Sequence, residues 1–240
     1  MSSIIIRVKD EAQNLRKLFP LLKNQTDQSF EIVIVNDNST DGSEKVVFDF
    51  FPKNRVKIVN IPKGKFAYPY ACNLGAKNAS GEFLVYISAH SYPISKSWLS
   101  DGLKNFDNPK VAGVFAYPLS GPRGTRAEKI LDITNKLRFK WRTYKKPRLG
   151  LMGNTNAIYR KDLWEEHKFD EGLIESEDSE WAYHILKNSY YIVHDPRFAV
   201  FHSHHLSFVG LIGRKIDWIR EERKTLRKSE KTFLGAIFRF

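Results

Sequence analysis

Acidic side chains are concentrated between residues 175 and 180, where four of the six positions are Glu or Asp. A carboxylate placed beside a hydroxyl can take its proton during a displacement reaction, and Asp178, with Glu177 beside it, is the candidate for such a base. The same acids precede a helical pattern, and a helix dipole also favours acids in its first turn. Four acids exceed what a helix start requires, so we predict a chemical role for Asp178.

Histidines form the second candidate cluster. His202, His204 and His205 lie close together in the sequence, and His90 follows an apolar run much earlier in the chain. Imidazole can ligate borderline ions such as Mn²⁺ or Zn²⁺, but exposed histidines near a strand end are also common without a ligand. The position of the later group after the acidic segment favours a role for at least one of its members.

Regular elements must hold these residues, and the first half of the chain alternates between strand and helix patterns. Apolar or β-branched runs at 3–8, 30–35, 56–61 and 82–88 are typical of buried strands, with helical segments between them. Such βαβ units predict a single α/β domain with a mostly parallel central sheet flanked by helices.

The second half is less regular. We predict strands at 111–117, 190–194 and 198–202, helices at 128–144 and 178–187, and a loop entering a strand at 150–159. The domain is expected to span residues 1–205. Residues 206–240 are expected to form a basic, amphipathic helical extension.

Polar clusters follow three of the predicted strands, where ligands bind in open α/β sheets. They are Arg7-Val-Lys-Asp-Glu11, Asn36-Asp-Asn-Ser-Thr-Asp-Gly42 and Ser88-Ala-His-Ser91. Together with later segments, and in this order, they resemble the motifs of the family 2 glycosyltransferases. The later segments are Asn73-Leu-Gly-Ala76, Phe169-Asp-Glu-Gly172 before Glu177-Asp178, and His202-Ser-His-His-Leu-Ser207, the last being similar to rhamnosyltransferase-like members.

This resemblance implies a GT-A fold and inverting transfer of a sugar from a nucleotide sugar, with Asp178 as general base and Glu177 beside it. A carboxylate at Asp37 would suit the N3–H of uracil or thymine, hence a UDP- or dTDP-linked donor, with rhamnose as one candidate sugar. Nucleotide contacts are expected from Val8, Asp10, Glu11, Asp37, Asn38, Lys63, Asn73 and Ser88, and acceptor contacts from Asn154 and Trp181.

Several of these residues also have purely structural interpretations. Asp37 suits an Asx turn, and Asp10 suits a helix N-cap. Asn154 suits a simple turn, and Trp181 suits a core position one turn into a helix.

The sequence departs from the family at its metal motif, because Ser88-Ala89-His90 stands where Asp-x-Asp is usual. Either His90 ligates a cation such as Mn²⁺ with His202 or His204, or no metal is used and His90 with nearby cations stabilises the diphosphate. We favour weak or absent dependence on Mn²⁺ or Mg²⁺. Cys72 also replaces a common arginine, and Lys63 and Lys65 are candidates for the missing charge.

The net charge of +12 is concentrated in two segments. Residues 121–150 hold ten Lys/Arg and two acids, and residues 205–240 hold nine Lys/Arg and four acids, so the rest of the chain carries −1. Such patches favour phosphorylated substrates or anionic lipid headgroups, unless they are only a solvated face. The basic helices fit a glycan acceptor carried on a membrane lipid. The extension is expected either to lie on an anionic bilayer or to pack on the core or a second subunit as a homodimer.

Other classes fit less well. The lone Cys72 excludes an intrachain disulfide framework, and the apolar run at 4–6 is too short for a signal peptide. We therefore expect a cytoplasmic protein, peripheral on the inner face of the plasma membrane, that serves cell-surface polysaccharide assembly. No nucleic-acid-binding motif accompanies the charge, so no nucleic acid is expected. An inactive relative that binds a glycan or partner is the alternative, which retention of Asp37 and the acidic pair argues against.

Overall fold

The structure is a computed structural model that describes residues 1–122, 124–204, 207, 209–213, 216, 217, 220 and 224. The predicted extension at 206–240 lies mostly outside this set, as does His205. Within the described ranges, no helix combines the length and apolar character needed to cross a bilayer.

The described residues form ten strands. These are β1 Ser2–Val8, β2 Phe30–Asn36, β3 Val56–Asn60, β4 Phe83–Ile87, β5 Tyr92–Pro93, β6 Val111–Phe115, β7 Arg142–Tyr144, β8 Asn156–Arg160, β9 Tyr191–His194 and β10 Val200–Phe201.

Eight strands form one sheet in the order β3-β2-β1-β4-β8-β6-β9-β7. β1 pairs in parallel with β2 and β4, β2 pairs in parallel with β3, and β6 pairs in parallel with β9. β8 runs antiparallel to both of its neighbours, and β7 is antiparallel to β9 at the edge. The predicted α/β class with a mostly parallel sheet is confirmed, and β5 and β10 form a separate two-stranded sheet.

Seven α-helices connect these strands in the described ranges. They are α1 Ala12–Lys23, α2 Ser43–Val46, α3 Tyr68–Asn78, α4 Trp98–Leu103, α5 Arg126–Thr134, α6 Lys161–Glu166 and α7 Glu177–Lys187.

The long helix predicted over 128–144 is wrong. α5 ends at Thr134, Asn135 leaves the helical region at φ −85° and ψ 81°, and a single 3₁₀ turn follows over Lys136–Phe139. Residues 142–144 then pair with β9, so hydrogen bonding at the sheet edge overrides the helical spacing of the side chains.

Two hydrophobic cores cover the two faces of the sheet. Side chains of β1 alternate between them: Ile4, Ile6 and Val8 pack in one core, and Ile5 packs in the other. This alternation places Arg7 on the face of Ile5, next to the site described below.

Candidate active site

A cleft of about 370 Å³ opens beyond the carboxyl ends of β1 and β4. Its walls come from segments far apart in the sequence: Arg7, Tyr68, the 88–90 turn, the 152–155 loop before β8, the start of α7, and the 202–204 segment. The fold therefore brings the acidic pair, Asn154 and Ser88 into one cleft. Three of the four histidines in the predicted cluster, His90, His202 and His204, lie in the same cleft.

Asp178 is the second residue of α7, which begins at Glu177 directly after Ser176, and the Ser176 backbone is left-handed with φ 69°. Its carboxylate accepts hydrogen bonds from the backbone N–H groups of Asn154, at 3.0 Å, and Ser179, at 2.7 Å. Removal from water, reinforced by the neighbouring charge of Glu177, raises the pKa of Asp178 to about 7, against the opposing effects of these hydrogen bonds and Arg7. This carboxyl can exchange a proton near neutral pH.

Glu177 is buried, with 3% of its surface exposed, and is held by Asn154. The Asn154 side-chain N–H donates to Glu177 Oε1 at 2.8 Å, and the Asn154 oxygen accepts from the Tyr159 hydroxyl at 2.8 Å. Asn154 is 4% exposed, so its amide positions the acidic pair. Both ends of this amide have partners within the protein, and its contact with an acceptor hydroxyl stays a prediction.

Arg7 is the residue of this site that sequence reasoning missed. Its Nη1 atom lies 3.2 Å from Cys72 Sγ, and its guanidinium lies 5.3 Å from the centre of the Tyr68 ring. Desolvation disfavours its charge, but neighbouring acidic groups, including Glu177 and Asp178, outweigh this and raise the Arg7 pKa. A charged residue inside the apolar run of β1 was the available signal.

Arg7 also bears on the positive charge that the resemblance predicts near position 72. The guanidinium reaches Cys72 from the neighbouring strand, so positive charge is present at the position without an arginine there. Lys63, one of the two lysines predicted to supply that charge, lies exposed in the loop between β3 and α3.

The ends of β1 and β2 place Val8, Asp37 and Asn38 side by side. The Asp37 backbone N–H donates to the Val8 carbonyl at 2.8 Å, and Asn38, with φ 53°, donates from its side chain to the Ile61 carbonyl at 3.1 Å. Asp37 Oδ2 lies 3.0 Å from Nζ of Lys9, whose side chain is 60% exposed. An exposed lysine is a partner that an incoming ligand can displace.

Two residues predicted to contact the nucleotide have structural partners instead. Asp10 Oδ1 accepts from the Thr40 backbone N–H at 2.7 Å and so holds the 36–42 turn. Asn73 donates to the Phe169 carbonyl at 2.9 Å, and its oxygen accepts from the Trp164 indole at 3.2 Å. Both polar ends of the Asn73 side chain are therefore occupied in joining α3 to the segment before α7.

Trp181 does not offer a stacking face. Its side chain is completely buried, and its ring packs edge-on against Tyr159 with the centroids 4.8 Å apart. The prediction of a sugar contact is wrong because α7 directs this position into the core.

The three histidines of the cleft form one cluster with Glu11. His90 stacks on His202 at 4.7 Å, and the Nε2 atoms of His202 and His204 lie 2.8 Å apart. His90 Nδ1 lies 2.9 Å from Glu11 Oε1, and His202 Nδ1 lies 3.0 Å from Ser91 Oγ. Burial alone would raise the pKa of Glu11, but the hydrogen bonds from His90 and Asn14 hold it below its usual value. Ser88 lies at the edge of the cluster, with Oγ 3.4 Å from His90 Nδ1.

The cluster has a geometry suited to a metal ion. One ligand atom from each of His90, His202 and His204 can be chosen so that all three lie within 4.8 Å of one another. Partners at the Nδ1 atoms of His90 and His202 orient those rings, as outer-shell groups do in metal sites. Imidazole donors fit Mn²⁺ or Zn²⁺ better than Mg²⁺, which prefers oxygen.

Comparison with known proteins gives a consistent family match. Residues 3–167 match the family model described as glycosyl transferase family 2. A dolichyl N-acetyl-alpha-D-glucosaminyl phosphate 3-beta-D-2,3-diacetamido-2,3-dideoxy-beta-D-glucuronosyltransferase of Methanococcus voltae is 26% identical over 208 residues, covering 81% of this chain and 64% of that protein. Glycosyltransferase AglE of Haloferax volcanii is 25% identical over 191 residues, covering 75% and 59%. The chain thus spans about three fifths of the length of these relatives.

Solved structures share the fold. The mannosyltransferase PcManGT of Pyrobaculum calidifontis, in complex with GDP-Man and Mn²⁺, superposes with a TM-score of 0.66 at 18% identity, over 83% of this chain and 55% of that one. S. aureus TarS 1–349 with UDP-GlcNAc gives 0.63 at 21% identity, over 86% and 59%.

Proposed function

The chain belongs to glycosyltransferase family 2, and from this premise we propose that it transfers a sugar, with inversion, from a nucleotide sugar to a glycan or lipid-linked acceptor. The donor is UDP- or dTDP-linked, with rhamnose as one candidate sugar, and the product serves cell-surface polysaccharide assembly. The name of the Methanococcus voltae relative describes transfer to a dolichyl-linked sugar phosphate, which supports a lipid-linked acceptor.

One arrangement carries the catalytic part of this proposal: Asp178 lies at the wall of the cleft beside Glu177, where burial and that neighbouring charge raise its pKa to about 7. A general base is most effective when its pKa lies near the working pH. Asp178 takes the proton from the acceptor hydroxyl as that oxygen attacks the anomeric carbon and the nucleoside diphosphate leaves. Glu177 raises the basicity of Asp178, and Asn154 fixes both carboxylates in place.

Nucleotide binding is assigned to the β1 and β2 ends. Asp37 accepts from the N3–H of the uracil or thymine base, with Lys9 released toward solvent. Asn38 and the Val8 carbonyl complete this wall, and Lys63 approaches the phosphates from its exposed loop.

If a cation binds, His90, His202 and His204 would hold it as borderline Mn²⁺ or Zn²⁺, which would neutralise charge on the leaving diphosphate. The weak or absent dependence of sugar transfer on Mn²⁺ or Mg²⁺ stays a prediction. Independently of any ion, Arg7 supplies a fixed positive charge in the same cleft. An inactive, glycan-binding relative is not favoured, since Asp37 and the acidic pair Glu177-Asp178 are both retained.

The decisive test measures thermal stability with UDP, dTDP, GDP and CMP, and then release of free nucleotide from the matching sugar donors. One nucleoside diphosphate at 100 times its Kd should stabilise the fold by about 2.7 kcal/mol. Asp37→Ala should abolish that shift, whereas Lys9→Met, which breaks the same ion pair but keeps the carboxylate, should retain it.

Asp178→Asn should bind the nucleotide normally and lose turnover. Glu166→Gln, an exposed acid at the end of α6, is the matched control and should leave turnover unchanged. Absence of binding by every nucleotide would refute the proposal.

A further inference from the structure

The exposed side of the 126–141 segment is unusually apolar for a surface. Ile133 is 77% exposed, Ile130 59%, Phe139 57% and Trp141 55%. These side chains lie on α5, on the following 3₁₀ turn and just before β7, beside the exposed cations Lys129, Lys136 and Lys140. We call these seven residues the α5 surface.

The acids of this segment do not offset its positive charge. Glu128 is 8% exposed and closes a capping box with Thr125 at the start of α5. Asp132 accepts from the Ser120 backbone N–H at 2.6 Å and lies 3.5 Å from Nε of Arg138. Since both carboxylates have partners within the protein, the α5 surface presents lysines and apolar groups without an exposed acid.

The tryptophan of this surface is fixed in orientation. The Trp141 indole N–H donates to Asn105 Oδ1 at 3.2 Å, while more than half of the side chain stays exposed. Tryptophan and aliphatic residues interleaved with lysines form the composition of segments that lie at a bilayer interface.

We propose that the α5 surface docks on an anionic lipid bilayer, with Ile130, Ile133, Phe139 and Trp141 entering the headgroup region and the lysines contacting acidic headgroups. Charge complementarity selects this occupant. In a symmetric contact with a second copy, the lysines would face one another and repel. Aliphatic side chains at the centre of the surface offer little to a nucleic-acid backbone.

Glu128 connects the α5 surface to the cleft. Its carboxylate accepts from the Ser203 hydroxyl at 2.7 Å and from the His204 backbone N–H at 3.3 Å. The helix that carries the docking side chains therefore also holds the histidine segment. If the proposed function holds, docking brings the cleft to a lipid-linked acceptor, whereas docking itself does not depend on sugar transfer.

The test is co-sedimentation of the full chain with two kinds of vesicle, in about 0.1 M salt. One kind contains phosphatidylcholine alone, and the other contains phosphatidylcholine with about 30% of the anionic lipid phosphatidylglycerol. Each lysine near an anionic surface contributes about fivefold to the partition coefficient. Lys129→Glu/Lys136→Glu/Lys140→Glu should therefore lower partitioning onto the acidic vesicles at least about a hundredfold. Lys23→Glu/Lys53→Glu/Lys77→Glu makes the same charge change on other elements and should lower it less than about tenfold.

A second variant separates apolar insertion from charge. Ile130→Ser/Ile133→Ser keeps every lysine and changes only exposed side chains, so the fold should persist while partitioning drops at least about tenfold. Equal losses in the two lysine variants, or full binding by the isoleucine variant, would overturn the proposal. So would a dimer that the isoleucine variant dissociates, or preferential binding to RNA.

Asp178→Asn should sediment like the wild type. This readout separates the two proposals, because docking can succeed in a protein that shows no transferase activity.

Discussion

The Nδ1 atom of His90 lies 2.9 Å from the Oε1 atom of Glu11, so the turn after β4 is joined to the residues that follow β1. The contact orients the imidazole that stacks on His202 in the histidine cluster. Imidazole ligands held in this way favour borderline cations over Mg²⁺.

Mn²⁺ or Zn²⁺ should raise the melting temperature of the wild-type protein, and Mg²⁺ should not, because the cluster offers imidazole nitrogens. His202→Ala should abolish this shift. His184→Ala, which removes an imidazole on α7 outside the cleft, should keep it. A shift with Mg²⁺, or one that survives His202→Ala, would contradict the assignment.

The rate of sugar transfer should rise with pH to a plateau, with a midpoint near pH 7, because Asp178 acts as a base only when ionised. Asp178→Asn should lower kcat at least about a hundredfold. Glu177→Gln keeps an oxygen for Asn154 but removes a negative neighbour, so the midpoint should move to lower pH. The check is kcat against pH for the three proteins; an unchanged midpoint in Glu177→Gln would exclude the charge effect.

Stability should also report the Asp178 pKa. An unfolded aspartate titrates near 3.9 and the folded one near 7, so the native state binds the additional proton between these values. Since the native state binds more protons there, the free energy of unfolding falls as pH rises from about 4 to 7. The stability of Asp178→Asn relative to the wild type should therefore increase as pH rises from 4 to 8, by up to about 4 kcal/mol. Urea denaturation at both pH values measures this, and a pH-independent difference would rule it out.

Arg7 and Cys72 should show energetic coupling, since the guanidinium lies 3.2 Å from the thiol. Cys72→Arg alone places a second cation in a buried site and should destabilise the fold by about 3 kcal/mol. Adding Arg7→Met should restore at least about 1 kcal/mol, because the new arginine can then pair with Glu177. Urea denaturation of the four proteins in this cycle gives the coupling, and Cys72→Ala controls for the loss of the thiol. Simple additivity would mean that the two positions do not share the charge.

Much of the fold could be predicted from local pattern. The β-branched runs of β1 to β4 identified a parallel sheet, and the polar residues after them identified the edge at which the cleft opens, because the carboxyl ends of parallel strands meet at one side of a sheet. The helix predicted over 178–187 begins one residue earlier in the structure. Residues 142–144 were mispredicted as helix because their pairing with β9 is a tertiary contact, which the spacing of side chains in the sequence cannot show.

The site could be predicted only in part, for a similar reason. Motif order placed the acidic pair and the histidines together, but side-chain partners depend on contacts across long stretches of chain. Cys72 Sγ lies 3.7 Å from Glu177 Oε1, a contact between residues 105 apart in the sequence. The sequence assigned no role to Arg7, and it assigned roles to Asn154 and Asn73 only from their positions in the motifs. The contacts that these three side chains make are visible only in the folded structure.

The alternation of side chains along β1 limits how this protein can change in length. Arg7 faces the cleft while Ile6 and Val8 face the opposite core, and pairing with β2 and β4 on both sides fixes the strand in place. Insertion or deletion of one residue within 2–6 would reverse every following side chain, burying a guanidinium among isoleucines and presenting an apolar group to the carboxylates. A change of one residue in the length of β1 would therefore disrupt both the core and the cleft.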